Sequence, residues 1–352
     1  MAPATQKAIV VTSVGQPVSL VTDRRVPTPG DSEVLVRVSL ASANPADQKG
    51  RDYGLFVSER LPCVLTCDIV GHVVEVGPNV SKYAVGDHVF GQGGLDPRCA
   101  GSGLQEHAVL NVNYSSKVPS GWSDEDVGTL PVCTQTPAMA MFGPTCLGLP
   151  APWSSSAASF DYASKPFLIV GGGSNTGTIA VHLAALAGFG HIVVVGGDEA
   201  DLKSRGATHV FSRHQAEDQI VSSIREVVGD DLLYAMDTSN PPATQAIGVN
   251  ALSSTKKGKL VRLNFFGEPL SADKINPKEK GYEVYAVYGD AQLMPELSKS
   301  LWDNMPQYLA NGKLRPLPYS VHDFSPEQVN AVLDAYRDGK KIAKPTFRPN
   351  SE

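Results

Sequence analysis

The sequence predicts an α/β protein in two parts: a barrel-like β unit, then a parallel sheet with helices on both faces. Three observations carry that expectation. The first 120 or so residues hold short apolar runs punctuated closely by glycine and proline. From Pro166 onward, strand and helix patterns alternate. At 352 residues the chain has room for two cores of roughly 100–200 residues each.

In the first part, Ala8-Ile9-Val10-Val11 reads as a strand, and Glu33 to Val38 alternates apolar and polar residues. Ile69 to Val76 is an apolar run with Gly71 inside it and Gly77 behind it. Gly86-Asp87-His88-Val89-Phe90-Gly91 is a turn entering a further strand. Such short, closely spaced strands build a compact all-β unit. At Ser123 the pattern changes. Ser123 supplies a cap and Asp124, Glu125 and Asp126 an acidic first turn, so Val127 to Phe142 is expected to be largely helical. Leu147 to Lys165 is rich in Pro, Ser and Ala without either period, and reads as a surface excursion.

Beyond it, strands are expected at Phe167–Val170, His191–Val195, His209–Phe211, Leu232–Met236, Leu260–Leu263 and Val284–Val287. Helices are expected to about Ala187 and around Ala200–Arg205. The tail carries helices at Glu296–Ala310 and Pro326–Arg337, with Pro316–Val321 extended between them.

Thirty basic against thirty-six acidic residues give a formal charge of −6 with no long like-charge block, which argues against a nucleic-acid binder. No apolar stretch approaches the ~18 residues of a membrane span. Met1 to Lys7 run straight into the first strand instead of a secretory signal's apolar core. Five cysteines form an odd, sparse set that suits a reducing compartment, so a cytoplasmic setting is expected.

The most informative local feature is Phe167-Leu-Ile-Val170, then Gly171-Gly172-Gly173-Ser174-Asn175-Thr176-Gly177, then an apolar helix. Glycines allow a tight turn and let backbone N–H groups approach a pyrophosphate at the positive end of a helix. Gly171, Gly173 and Gly177 place the third glycine one position later than the usual dinucleotide fingerprint. An acidic residue after the next strand would accept from a ribose 2′-hydroxyl, whereas cations would pair with a 2′-phosphate. Asp198 points to the first, Lys203 and Arg213 to the second, and all three serve equally as solvated helix-end charges.

With these features in place, the sequence resembles the medium-chain dehydrogenase/reductase superfamily over nearly its whole length. Asn44-Pro45-Ala46-Asp47, Cys67-Asp68-Ile-Val-Gly71-His-Val-Val-Glu-Val-Gly77 and Gly86-Asp87-His88-Val89 are similar to the zinc-free quinone-reductase-like branch. The glycine turn, Lys203-Ser204-Arg205-Gly206-Ala207, Asn311-Gly312-Lys313 and Lys344-Pro-Thr-Phe347 fall in register with it. Leu147-Gly-Leu-Pro150 and its Ser/Pro-rich excursion resemble the stand-alone, trans-acting enoyl reductases of fungal polyketide biosynthesis. The resemblance implies a GroES-like catalytic and substrate domain over residues 1–125 and 300–352. It implies a Rossmann, doubly wound cofactor domain over 126–299.

Where the zinc-dependent members place a first cysteine ligand this chain has Asn44, and Cys67-Asp68 replaces their His-Glu pair. The third ligand position falls near Pro131 to Cys133, and the four-cysteine cluster of structural zinc is absent. Cys67 and Cys133 could supply two ligands of the three that tetrahedral catalytic zinc wants, so no metal is expected. Hydride addition to a conjugated double bond still proceeds without a Lewis acid, because the developing charge spreads over an enolate.

By resemblance, Ala46, Asp47, Gln48 and Lys49 line the nicotinamide end, and Ser174, Asn175, Thr176 and Gly177 cradle the phosphates. Gly197, Asp198, Lys203 and Arg213 surround the adenosine ribose, where Arg213 replaces a usual adenine-stacking tyrosine; NADPH is the expected cofactor. Leu263, Asn264, Thr346 and Phe347 complete the cofactor cleft with Thr136. Ala138, Met139 and Met141, with Val284, Tyr285, Ala286, Val287 and Tyr288, form a substrate channel beside Thr136. Lys49 and Tyr53 are the catalytic candidates, although a surface lysine, a packing tyrosine and protonation by water explain the same residues.

Three functions remain open on the sequence. They are a trans-acting enoyl reductase whose substrate rides on a synthase acyl carrier domain, a stand-alone reductase of quinones or enones, and a non-catalytic NADPH-binding protein. Many relatives dimerise through an edge strand of the cofactor sheet. The corresponding stretch from Asn264 carries Pro269 and charges from Lys274 to Lys280, which discourage strand pairing, so a monomer is expected.

Overall fold

The computed structural model describes residues 2–239, 245–263 and 269–350. The chain forms two compact units, Met1–Val132 with Asp290–Glu352, and Cys133–Gly289. The boundaries drawn from sequence, 125/126 and 299/300, would cut the helices Asp124–Gly128 and Pro295–Ala310, each of which lies within the first unit.

The first unit is built around strand Glu33–Ser42. It pairs antiparallel with Asp68–Val76, with His107–Asn111 and with Lys344–Phe347. Asp68–Val76 continues to His88–Gln92 and then Ser115–Lys117, while Tyr319–His322 runs parallel to Lys344–Phe347. Thr5–Val11 joins Ser19–Arg25 and Cys63–Val64 in a smaller sheet. Register shifts at Leu35/Val36 and Val38/Leu40 bend the long strands, as closing a barrel-like sheet requires. Gly71 is needed at its place: a Cβ there would lie 2.1 Å from the Arg37 carbonyl oxygen. Val34, Val36, Val38, Ile69 and Val73 fill the core between the sheets.

The largely helical stretch expected over 127–142 is present and is divided in two, Asp124–Gly128 and Pro131–Phe142, because Pro131 has no N–H to donate backward and biases Leu130 away from helical geometry. Asn44-Pro45-Ala46-Asp47, given no element on the sequence, opens the helix Pro45–Tyr53. The Asp47 carboxylate accepts from the Asn44 N–H at 2.7 Å, and Gly54 ends the helix at φ +79°.

The second unit is a six-stranded, wholly parallel sheet. Its strands, in spatial order, are His209–Phe211, His191–Val195, Pro166–Val170, Tyr234–Asp237, Gly258–Arg262 and Tyr282–Ala286. In chain order this is 3-2-1-4-5-6, the doubly wound arrangement with its switch point between the first and fourth strands. Sequence reasoning passed over the helix Glu217–Val228. Ile220, Val221, Ile224 and Val228 are its buried stripe at helical spacing.

The excursion over 147–165 is not a surface feature throughout. Leu147, Leu149 and Tyr162 are buried, and the Tyr162 ring meets Phe189 edge-on at 4.9 Å between centroids. The edge argument also changes. Pro269 and Lys274 to Lys280 precede the outermost strand, Tyr282–Ala286, so that edge contains neither proline nor lysine.

Candidate active site and dinucleotide turn

In the second unit, the first strand ends at Val170 and the chain turns at Gly171, whose φ is +88°. A Cβ on Gly177 would sit 2.2 Å from the Gly171 carbonyl oxygen, and one on Gly173 would reach 3.0 Å from the Gly197 Cα. The glycines therefore let two strand ends and a helix start share one small space. Ser174 caps the helix Asn175–Ala187, its Oγ accepting from the Gly177 N–H at 2.9 Å. Sequence reasoning did not single out Thr238. Its hydroxyl donates to the Gly171 carbonyl at 2.9 Å and lies 2.8 Å from the Ser174 Oγ, stitching the turn to the fourth strand. The available signal was an Asp237-Thr238-Ser239 run closing an apolar strand. This cradle, free of side chains at its tightest points and set at the start of a 13-residue helix, fits a pyrophosphate.

Around the next strand end, Gly196 and Gly197 have φ of +80° and +105°, and the Arg213 stem lies beside Gly196. Asp198 is a helix cap, its carboxylate accepting from the Asp201 N–H at 2.8 Å. Lys203 pairs with Glu199 one turn earlier at 2.7 Å on an exposed surface. Leu263 is buried and donates its N–H to the Asp237 carbonyl. Asn264 lies outside the described residues. Burial raises the Asp237 carboxyl, opposed by hydrogen bonds from Ser239.

Thr136 packs closely on Gly289, while Ala138, Met139 and Met141 are buried to 0–1 % exposure. Val284 and Ala286 are exposed on the edge strand, Val287 is buried, Tyr288 is partly exposed, and the Tyr285 hydroxyl donates to Glu283.

In the first unit, helix Pro45–Tyr53 presents Lys49 and Tyr53 one turn apart on one face. Lys49 is half-buried, which lowers its ammonium pKa against the attraction of Asp52; Tyr53 is exposed. The Gln48 amide donates to Asp52 at 2.7 Å, and Arg51 ties the helix to Asp334 at 2.7 Å. Asp47 accepts from the Asn44 and Thr66 N–H groups, yet burial outweighs both bonds and pushes its carboxyl up to about 6.

An acid whose folded pKa exceeds its unfolded value of 3.8 binds its proton more tightly when folded. Stability contributed at Asp47 is thus present at low pH and lost as pH rises toward 6. Urea midpoints of wild type and Asp47→Asn, measured across that range, should diverge in favour of the variant as pH increases. A pH-independent difference would refute it.

Beneath the helix lies a fully buried charge cluster that sequence reasoning did not assemble. Lys344 Nζ reaches Asp68 Oδ2 at 2.6 Å and the Asn44 amide oxygen at 2.5 Å, and the Asn44 amide donates to the same carboxylate at 3.0 Å. Asp68 Oδ1 accepts from the Val132 N–H at 2.7 Å. Thr346 and Phe347 are buried on the strand that carries Lys344; the Thr346 hydroxyl donates to Ser320 and Phe347 joins the core. The residues standing at the zinc-ligand positions do not form a metal's donor set. Asn44 and Asp68 hold an ammonium group, and burial with the nearby Asp47 and Asp68 carboxylates raises the Cys67 thiol well above its ordinary pKa. Cys133 belongs to the other unit. Among the described residues no three His, Cys, Asp or Glu side chains gather to hold a metal ion.

A barrel-like unit and a 3-2-1-4-5-6 sheet with a glycine cradle at its switch point together define a two-domain dehydrogenase architecture. The alcohol dehydrogenase GroES-like domain matches residues 30–120. The trans-enoyl reductase resD of Aspergillus sclerotiorum is 31% identical over 328 residues, covering 88% of this chain and 90% of that protein. The dehydrogenase mokE of Monascus pilosus is 32% identical, covering 88% and 87%. The enoyl reductase component lovC of the lovastatin nonaketide synthase, from Aspergillus terreus, is 29% identical, covering 88% and 86%. Among solved structures, the CurK enoyl reductase shares the fold with a TM-score of 0.75 at 19% identity, over 97% of this chain and 99% of that one. The chain belongs to the medium-chain dehydrogenase/reductase superfamily of oxidoreductases, in its fungal enoyl-reductase-like group.

Proposed function

We propose that the protein is a zinc-free, NADPH-dependent enoyl reductase acting in trans, in the cytoplasm, on an α,β-unsaturated thioester carried by a polyketide synthase acyl carrier domain. The observation that carries this reading is the 31% identity, over nine-tenths of its length, to a protein named trans-enoyl reductase. The engagement of Asn44 and Asp68 by Lys344 supports the zinc-free part of it, and hydride addition to a conjugated double bond, whose charge spreads over an enolate, needs no metal Lewis acid.

Bound NADPH supplies a hydride for the substrate β-carbon. Backbone N–H groups of Gly171 to Gly177 and the helix start hold the pyrophosphate. Lys203 and Arg213 would pair with the 2′-phosphate; the exposed Lys203–Glu199 pair is weakly held, so it would leave that ammonium available. Ala46, Asp47 and Gln48 would line the nicotinamide end, Thr136 would be a further cofactor contact, and Lys49 would steady the enolate and deliver the α-proton. Ala138, Met139, Met141 and residues 284–288 accommodate the acyl chain.

The deciding assay follows NADPH oxidation with a crotonyl-pantetheine thioester and with a small quinone. Turnover of the thioester is expected; activity with the quinone alone would overturn the reading in favour of a quinone reductase. Lys203→Ala should weaken NADPH binding ~10- to 150-fold, as loss of one charge-assisted contact does, and leave NADH binding nearly unchanged. Equal weakening of both cofactors would refute the assignment of Lys203.

A further inference from the structure

We propose that Cys63 and Cys99 form a peroxide-oxidisable dithiol that closes to an intrachain disulfide. Cys63 lies on the short strand Cys63–Val64, paired with Val10 and Val11. Cys99 lies in the loop between strands His88–Gln92 and His107–Asn111, in left-handed backbone at φ +52°. That conformation is held from both sides: the Cys99 N–H donates to the Asp96 carbonyl at 3.1 Å, and its carbonyl accepts from the Gln105 amide at 3.0 Å. Both side chains are fully buried, and their sulfurs are 2.8 Å apart. Reaching the ~2.05 Å of a disulfide therefore takes a displacement of less than about 1 Å.

The surroundings give the two thiols different roles. The Arg60 guanidinium lies 3.8 Å from the Cys99 sulfur and is itself fixed by the carbonyls of Asp96 and Phe56. The hydrogen bond between the two sulfurs and the Arg60 charge lower the Cys99 thiol against the opposing effect of burial, while that hydrogen bond and burial raise Cys63. Cys99 is the attacking thiolate and Cys63 the resolving thiol. Cys99 attacks one oxygen of hydrogen peroxide; the O–O bond breaks, an S–O bond forms and hydroxide leaves, taking up the proton Cys99 released. The Cys63 sulfur then attacks the sulfenic sulfur; the S–O bond breaks, the S–S bond forms, and the Cys63 proton departs with hydroxide as water. Two thiols give two electrons to one peroxide, yielding a disulfide and two waters. Burial selects a small, neutral oxidant of this kind.

The test treats the folded, full-length protein with hydrogen peroxide, blocks remaining thiols with N-ethylmaleimide under denaturing conditions, and maps the digest by mass spectrometry. The expected product joins the Cys63 and Cys99 peptides, is two hydrogens lighter than the free thiols and is reversed by dithiothreitol, with Cys67, Cys133 and Cys146 alkylated. Cys63→Ala should lose the link and leave Cys99 to over-oxidise to the sulfinic acid. If that variant does not fold, the wild-type map decides alone. Sulfinic acid at Cys99 in the wild type, linkage of a different pair, or retention of all five thiols would each overturn the proposal.

Discussion

Replacing Lys49 by alanine is expected to lower the rate of the chemical step by ~10²–10⁴, the range of general acid–base assistance. Three features set that expectation. Lys49 sits on a helix whose start is locked by the Asp47 capping bond and whose later turn is clamped by Arg51 to Asp334. Its ammonium is half-buried, so the proton is held less tightly than on a free lysine, with Asp52 partly restoring it. The glycine cradle belongs to the other unit, so NADPH binding should change little. Because a lysine acid works only while protonated, the wild-type rate should fall as pH rises through a pKa below the ordinary ~10.4. The variant should lack that limb. Single-turnover reduction of a pantetheine-linked enoyl substrate measures both. A loss under about tenfold would return Lys49 to the surface charges and direct attention to Tyr53 or solvent.

Lys344→Met is expected to destabilise the first unit by ~3–5 kcal/mol, the usual cost of stranding one member of a buried ion pair. Lys344 and Asp68 are both at 0 % exposure, and removal of the ammonium leaves the carboxylate to the Asn44 amide and the Val132 N–H. Pairing the change with Asp68→Asn should recover most of the loss, because the amide carries no charge and still accepts from Val132. A double-mutant cycle by urea unfolding of the full chain isolates the coupling. A single-variant loss under about 1 kcal/mol would mean that the pair behaves like a screened surface bridge.

Much of the second unit was legible. Phe167 to Val170, His191 to Val195 and the glycine turn between them carry their own local signals: continuous apolar runs, glycines needing positive φ, and a serine before a helix. Strand and helix types follow from such short-range chemistry. The helix Glu217–Val228 had its signal in the spacing of Ile220, Val221, Ile224 and Val228, and the helix Pro45–Tyr53 in the order Asn, Pro, Asp. Both patterns were in the residues and were simply not applied.

Other features depended on which distant segments meet. Lys344 and Asp68 are 276 residues apart, and nothing local marks either as a buried charge; only the pairing of strands Glu33–Ser42 and Lys344–Phe347 carries the ammonium to Asn44. Thr238 became a partner of Gly171 because parallel pairing sets Asp237 beside Val170. Cys63 and Cys99 read as two unremarkable thiols until the loop and the short strand brought their sulfurs together. By itself the sequence determined the fold class, the family and the glycine turn between strand and helix, because periodicity, glycine geometry and helix caps act over a few residues. The tertiary structure alone decided the buried ion pair, the stitching of the turn and the dithiol, because long-range strand pairing and exclusion of water create contacts that no local pattern encodes.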